Sequence, residues 1–133
     1  MRVVIDTNVL FSALYRSGSI SHKAYNKAVN PPYQGLICDC CFDELRENFS
    51  EKFPDMKDSL EWFIEMTEAV VETISVPELV HPDEARIRDP DDALIFRAAV
   101  AADADIIITG DLDLLESGIT KPKIIKPDQF LLL

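Results

Sequence analysis

The residues of this chain best suited to chemistry are four carboxylates, each beside a short apolar run. If those runs are neighbouring parallel strands, their carboxyl ends share one edge of a sheet, which gathers groups from distant parts of the sequence. Carboxylates that meet there repel one another unless a hard cation such as Mg²⁺ or Mn²⁺ lies between them, because these ions prefer oxygen ligands. The pattern predicts a metal site built from Asp6, Glu44, Asp92 and Asp111.

Each acid also has a purely structural interpretation. Asp6 can initiate a turn by bonding its own backbone, and Glu44 can be a solvated residue on a helix. Asp89 is suited to cap a helix that starts at Pro90, where acids are favoured by the helix dipole. Adjacent residues on a helix point about 100° apart, so Asp91 and Asp92 are not expected to serve one site equally. We expect Asp92 to face the sheet edge.

A second acid follows Asp111 at the spacing of a pair that can share a metal. In the run Thr109-Gly110-Asp111-Leu112-Asp113, a tight glycine turn precedes two aspartates at i and i+2. One of the two could contact a metal directly while the other orients its waters. We therefore include Asp113 with Asp6, Asp92 and Asp111 as predicted metal ligands, while a capped short helix over 111–116 remains the structural alternative.

Composition predicts a single domain and argues against simple electrostatic binding of nucleic acid. A length of 133 residues with 47% hydrophobic content suits a single core, so we predict one domain over 1–133. The formal net charge of −11 argues against a basic face that binds phosphates. It does not argue against a nuclease, because divalent cations at a carboxylate cluster reverse the local sign of charge.

The cysteines and the hydropathy indicate a cytoplasmic protein. Three cysteines, Cys38, Cys40 and Cys41, fall within four positions, and an odd count without a secretory leader does not suggest a disulfide framework. The two histidines, His22 and His81, show no zinc-finger spacing to them, so we interpret the cysteines as small buried residues at a strand end. No apolar stretch approaches the roughly 20 residues that cross a bilayer.

Apolar runs that alternate with helical patterns predict a three-layer α/β/α sandwich. The opening run is β-branched and continuous, as expected for a central parallel strand covered on both faces. Strands followed by helices imply right-handed crossovers and a parallel sheet of four to five strands. The predicted strands are 2–6, 35–39, 73–76, 106–109 and, at the edge, 123–125. The predicted helices are 19–29, 41–52, 54–71 and 90–102.

The helix predicted over 54–71 has a wide apolar face. Its stripe contains Met56, Leu60, Phe63, Thr67 and Val70 at helical spacing, and it is widened by Trp62, Met66 and Ala69. The core alone would account for the stripe. Its extra width predicts a subunit or partner interface, and we expect a homodimer.

These motifs, in this order and spacing, resemble a PIN domain. The resemblance rests on the runs 4–10, 43–45, 88–95 and 104–115, which together span nearly the whole chain. Within that family, the chain is most similar to the VapC-like branch, the toxin components of bacterial and archaeal toxin–antitoxin pairs. It departs from the family at Cys40-Cys41-Phe42, where a Ser-led helix cap is more usual.

What the resemblance implies is a Rossmann-like sheet in the order 3-2-1-4-5, dependence on Mg²⁺ or Mn²⁺, and endoribonuclease activity. It also implies a cognate antitoxin as a partner. Carried over by position, it assigns the acidic catalytic site to Asp6, Glu44, Asp92 and Asp111, with Asp113 accessory. Asn8 and Thr109 become hydrogen-bonding supports.

The implied reaction is hydrolysis of an RNA phosphodiester by water that one or two bound cations activate. No histidine base is required. RNA would be held by basic side chains close in sequence to the acids, for which the candidates are Arg16, Lys23, Arg46 and Arg97.

Other functions of a small acidic α/β domain remain open. A phosphoacceptor receiver-like regulatory domain has a similar size, but its first strand is followed by adjacent acids, where this chain has Thr7 and Asn8. Asn8 also disfavours a haloacid-dehalogenase-type phosphatase, which needs a second Asp two residues after the first. A third alternative is a PIN fold that is catalytically silent and serves as an interaction scaffold.

Overall fold

The computed structural model describes all 133 residues and shows the predicted sandwich. Five parallel strands form one sheet in the order β3-β2-β1-β4-β5. The strands are β1 (Arg2–Ile5), β2 (Gln34–Cys38), β3 (Glu72–Ile74), β4 (Ile106–Ile108) and β5 (Lys123–Ile125). The predicted fold class and strand order are confirmed.

Seven helices cover the two faces of the sheet or follow its strand ends. They are α1 (Thr7–Tyr15), α2 (Ile20–Ala28), α3 (Asp39–Lys52), α4 (Lys57–Glu68), α5 (Pro90–Ala101), α6 (Leu112–Leu115) and α7 (Pro127–Leu131). Short 3₁₀ turns occupy Pro54–Met56 and Pro82–Arg86. None of these helices combines the length and the apolar character needed to span a membrane.

The core lies on both faces of the central strands, as continuous apolar runs require. Val3, Val4 and Ile5 of β1 are fully buried, and Ile107 and Ile108 beside them on β4 are equally inaccessible. Because β1 is flanked by β2 and β4, the residue that follows each of these strands emerges at the same carboxyl edge. This placement brings Asp6 and Thr109 together.

The observed helices differ from the predicted ones in several places. Residues 7–15 were expected only to begin with a turn, yet they form α1, because Asp6 caps the helix by accepting a hydrogen bond from the Thr7 amide. The terminal helix α7 was also not predicted. The single helix predicted over 54–71 is instead a 3₁₀ turn followed by α4.

The stripe on α4 is only partly used by the core. Leu60, Phe63 and Thr67 are buried, as a core-facing stripe predicts. Val70 lies beyond the helix and is half exposed, and Trp62 and Met66 are also exposed. The apolar face is therefore wider than the contact it makes within this chain.

Candidate active site

Five acidic side chains from four separate segments line one open cavity at the carboxyl edge of the sheet. The cavity has a volume of about 520 Å³ and only one of its lining residues is hydrophobic. It is lined by Asp6, Thr7, Asn8, Phe11, Ser12, Glu44, Asn48, Glu51, Lys52, Asp92 and Asp111. The structure thus brings together all four carboxylates that were predicted to form the acidic site.

Asp6 is held rigidly at the floor of the cavity. Its side chain is 3% exposed, and Oδ1 accepts the Thr7 amide at 2.7 Å. Its Oδ2 accepts the hydroxyl of Thr109 at 2.6 Å and the side-chain amide of Asn8 at 3.0 Å. Both oxygens are therefore oriented by donors from α1 and from the residue that follows β4, as expected for a carboxylate whose position matters.

The supports predicted for Asp6 also organise the turn that carries Asp111. Thr109 is fully buried, and its hydroxyl oxygen accepts the Asp111 amide at 2.9 Å. The side-chain oxygen Oδ1 of Asn8 accepts the Gly110 amide at 2.9 Å. A Cβ added at Gly110 would lie 3.4 Å from that same oxygen, so the turn leaves little room for a side chain. One hydrogen-bonded network therefore fixes Asp6 relative to Asp111.

Asp92 has a buried oxygen that no hydrogen bond satisfies. It lies in the first turn of α5, is 7% exposed, and its Oδ2 is buried without any hydrogen-bond partner. A buried carboxylate oxygen without a donor is costly unless the group is protonated or a cation is bound. Asp91, its neighbour, is exposed, as the difference in helical direction predicts.

The electrostatics of the cavity raise the pKa of two of its acids. Burial is the main cause of the rise in the pKa of Asp6 to about 6, opposed by hydrogen bonds from Thr109 and Thr7 and increased by Glu44 and Asp111. Burial, followed by the neighbouring carboxylate of Asp111, raises the pKa of Asp92 to about 8. Both shifts express the free energy of holding several negative charges together in partial isolation from water.

Glu44 belongs to the cavity but is less confined. It lies on α3, is exposed, and its Oε2 accepts the hydroxyl of Thr7 at 3.0 Å. Asn48 and Lys52 follow it on α3 at intervals of four residues, and all three line the same wall. Asn48 and Lys52 were not predicted, although helical spacing from Glu44 could have identified them.

Asp113 lies beside the cavity rather than in its lining. Ligand oxygens of Asp89, Asp92 and Asp113 come within 4.8 Å of one another, so Asp92 joins the cavity to a second acidic group. The carboxylate of Asp113 is paired with the guanidinium of Arg88 at 2.8 Å. Asp113 is thus placed to act through Asp92 and is partly neutralised by Arg88.

The predicted substrate-binding cations do not line the cavity. Arg46 is engaged by Glu61 at 3.2 Å. Arg97 binds both carboxylate oxygens of Glu84 at 2.9 Å, which holds the 82–86 turn against α5. Arg16 lines a neighbouring depression that shares Phe11 and Ser12 with the cavity, and Lys23 is exposed and lines neither of the two. Of the four predicted cations, Arg46 and Arg97 are therefore paired with carboxylates outside the cavity.

The donor set fits a hard divalent cation. Asp6, Asp92 and Asp111 supply oxygen ligands only, which Mg²⁺ and Mn²⁺ prefer. The unpartnered Oδ2 of Asp92 provides a free acceptor in the same group. Glu44 could contact such an ion directly or through water.

Comparison with known proteins agrees with this geometry. A sequence profile of the PIN domain matches residues 2–113. Among curated proteins no match was found. Two solved structures are similar over nearly their whole length, each at 15% identity.

The first is VapBC2 from Rickettsia felis, bound to a DNA fragment from its promoter. It has a TM-score of 0.70 and covers 95% of this chain and 98% of its own. The second is VapC20 from Mycobacterium tuberculosis, a toxin that cleaves the sarcin–ricin loop. It has a TM-score of 0.61, with 90% and 97% covered. At this identity the two structures establish a shared fold, and the profile match over residues 2–113 shows that the chain belongs to the PIN domain family.

Proposed function

We propose that this chain is a metal-dependent endoribonuclease that hydrolyses phosphodiester bonds of RNA. The observation that carries the proposal is the convergence in one cavity of the four carboxylates predicted from the sequence, one of which, Asp92, has a buried oxygen without a hydrogen-bond partner. Membership of the PIN family supports a nuclease, and it disfavours the receiver-like alternative. A silent scaffold would have no need for a floor carboxylate held by three donors.

The site residues divide into ligands and supports. Asp6, Asp92 and Asp111 would hold Mg²⁺ or Mn²⁺, with Asp113 accessory and Glu44 completing the acidic wall. When bound, such an ion lowers the pKa of water and stabilises the charge that develops on the phosphate. Asn8 and Thr109 fix the Asp6 carboxylate, so that it does not reorient as charge changes beside it.

Lys52 is the best placed cation for the substrate backbone. It is the only basic residue that lines the cavity, and it is exposed. Arg16 lies along the adjoining depression and extends the same side of the site. We propose these two residues as phosphate contacts, while Lys23, Arg46 and Arg97 are less suitably placed.

The resemblance to VapC proteins supports a role as the toxin of a toxin–antitoxin pair, with an antitoxin protein as the partner. The free state of all three cysteines is consistent with the reducing cytoplasm that we propose as its location.

Cleavage of RNA should depend on a divalent cation. We expect the purified protein to cut single-stranded RNA from a mixed pool in Mg²⁺ or Mn²⁺, and to lose that activity in EDTA. Restoring excess Mn²⁺ to the chelated sample should restore cleavage, which separates loss of metal from loss of fold. Equal cleavage with and without EDTA would contradict the metal-dependent site.

Self-association should use the exposed face of α4. Trp62 is 65% exposed and Met66 is 51% exposed on one side of this helix. A second copy of the chain could remove this apolar surface from water. We expect a dimer mass in light scattering at micromolar concentration, and a monomer for Trp62→Glu. Lys57→Glu, at the start of the same helix, serves as the charge control. A monomer for the unaltered protein across that range would contradict the prediction.

A further inference from the structure

The junction between β2 and α3 holds two thiols in contact. Cys38 is the last residue of β2 and Cys40 lies in the first turn of α3. Their sulfur atoms are 2.9 Å apart. Cys38 is fully buried, whereas Cys40 is partly exposed and gives the pair access to solvent. The proposed nuclease function uses neither residue.

A carboxylate completes this group. Asp39 is exposed, and its Oδ1 lies 3.5 Å from the Cys38 sulfur and accepts the Cys40 amide at 2.7 Å. Its Oδ2 accepts the hydroxyl of Ser75, just beyond β3, at 3.1 Å. The ligand atoms of Cys38, Asp39 and Cys40 all lie within 4.8 Å of one another. The Cys40 amide and the Ser75 hydroxyl thus hold the Asp39 carboxylate beside the two thiols.

This group is separate from the acidic cavity and has different chemistry. None of its members lines that cavity. Two sulfur ligands favour a softer cation than Mg²⁺ or Mn²⁺, which select oxygen ligands. The start of α3 also has no side-chain hydrogen bond from its N-cap residue, Cys38.

We propose that Cys38, Asp39 and Cys40 form a binding site for Zn²⁺. Two thiolates and one carboxylate give three protein ligands, which leaves a position for water, as in zinc sites that are not closed by four side chains. The first turn of the 14-residue helix α3 favours negative charge on these groups. The proposed site contains no histidine ligand, because its third ligand is Asp39, which lies between the two cysteines.

Binding must exchange protons for the metal. Cysteine binds zinc as the thiolate, so Zn²⁺ releases one proton to solvent for each thiol as the two zinc–sulfur bonds form. Zinc affinity should accordingly rise with pH.

Cd²⁺ tests the site through its sulfur ligands, whatever the nuclease activity proves to be. The reduced protein is titrated with Cd²⁺ in excess Mg²⁺, which fills sites made of oxygen alone, and the ultraviolet charge-transfer absorption of thiolate–Cd²⁺ bonds is followed. We expect saturation at one equivalent of Cd²⁺ and loss of the band when Zn²⁺ is added.

Three variants make the test specific. Cys40→Ser should abolish the band, and Asp39→Asn should weaken Cd²⁺ binding about tenfold or more. Cys41→Ala should keep the band, since Cys41 belongs to the core and not to the group. Asp43→Asn, on the next turn of α3, is the matched control for Asp39→Asn. Absence of the band in the unaltered protein, or its persistence in Cys40→Ser, would overturn the proposal. If Cys40→Ser does not fold, unchanged binding of Cd²⁺ by Asp39→Asn would overturn the proposal instead.

Discussion

Asp6→Asn should reduce RNA cleavage by at least about a hundredfold while leaving the fold intact. The substitution removes one charge from the floor of the acidic cavity, and metal catalysis contributes several kcal/mol to transition-state stabilisation, at about 1.4 kcal/mol for each factor of ten. An asparagine can still accept the Thr7 amide, so the cap of α1 is kept. The measurement is the single-turnover rate on a defined RNA in Mn²⁺, with circular dichroism to check the fold.

Asp91→Asn is the matched control for this variant. Asp91 is exposed and does not line the cavity, so its loss of charge should leave the rate within about twofold. If Asp6→Asn cleaves at the rate of the unaltered protein, Asp6 is only a helix cap.

Asp92→Asn should make the metal-free protein more stable, by an amount that grows with pH. In the folded protein the pKa of Asp92 lies at about 8, against an ordinary value of 3.8, so the folded state binds this proton more tightly than the unfolded state. That contribution to stability is fully present below pH 3.8 and is lost as pH rises through about 8. Asparagine at position 92 does not titrate, so the variant should not lose this stability as pH rises.

Metal should reverse the order of stability. The unaltered protein should gain RT ln(1 + [L]/Kd), about 2.7 kcal/mol at a hundredfold excess of metal over Kd, whereas Asp92→Asn should gain much less. Thermal melting of both proteins across pH, in EDTA and in millimolar Mn²⁺, measures the two effects. Asp91→Asn should follow the unaltered protein throughout. A gap in EDTA that is independent of pH, or the same shift in melting temperature with Mn²⁺ for both proteins, would contradict the role of Asp92.

The Asp6 carboxylate should also make the stability of the metal-free protein depend on pH, at a lower pH than Asp92. Its pKa, raised from 3.8 to about 6, corresponds to about 3 kcal/mol that the metal-free fold loses as pH rises through that interval. The same carboxylate is held by Thr109, Asn8 and Thr7, so its replacement also disturbs hydrogen bonds. Asp92, with its unpartnered oxygen, gives the cleaner measurement.

The acidic cavity could be predicted because strand ends and charge patterns are local features of a sequence. Asp6 follows one β-branched run and Asp111 follows another. Because β1 pairs with β4 in parallel, the two runs end at the same edge of the sheet and bring these acids together. Asp92 was identified by its direction on α5, which follows from the buried positions of Ile95 and Phe96.

The partners of long basic side chains could not be predicted in this way. Arg97 pairs with Glu84 through a turn whose path the sequence does not specify, and Arg88 reaches Asp113 from a different segment. The thiol group was missed for a related reason. Spacing to the histidines suggested no zinc site, whereas the contact between Cys38 and Cys40 depends on how β2 passes into α3.

The central claim is that the acids at the carboxyl edge of the sheet hold a divalent cation, and a crystal structure determined with Mn²⁺ tests it most directly. The anomalous scattering of manganese identifies the ion without reference to activity. We predict a peak coordinated by Asp6, Asp92 and Asp111, with the Oδ2 of Asp92 among its ligands. No anomalous peak in the cavity at millimolar Mn²⁺, or a peak bound only elsewhere on the protein, would contradict the account.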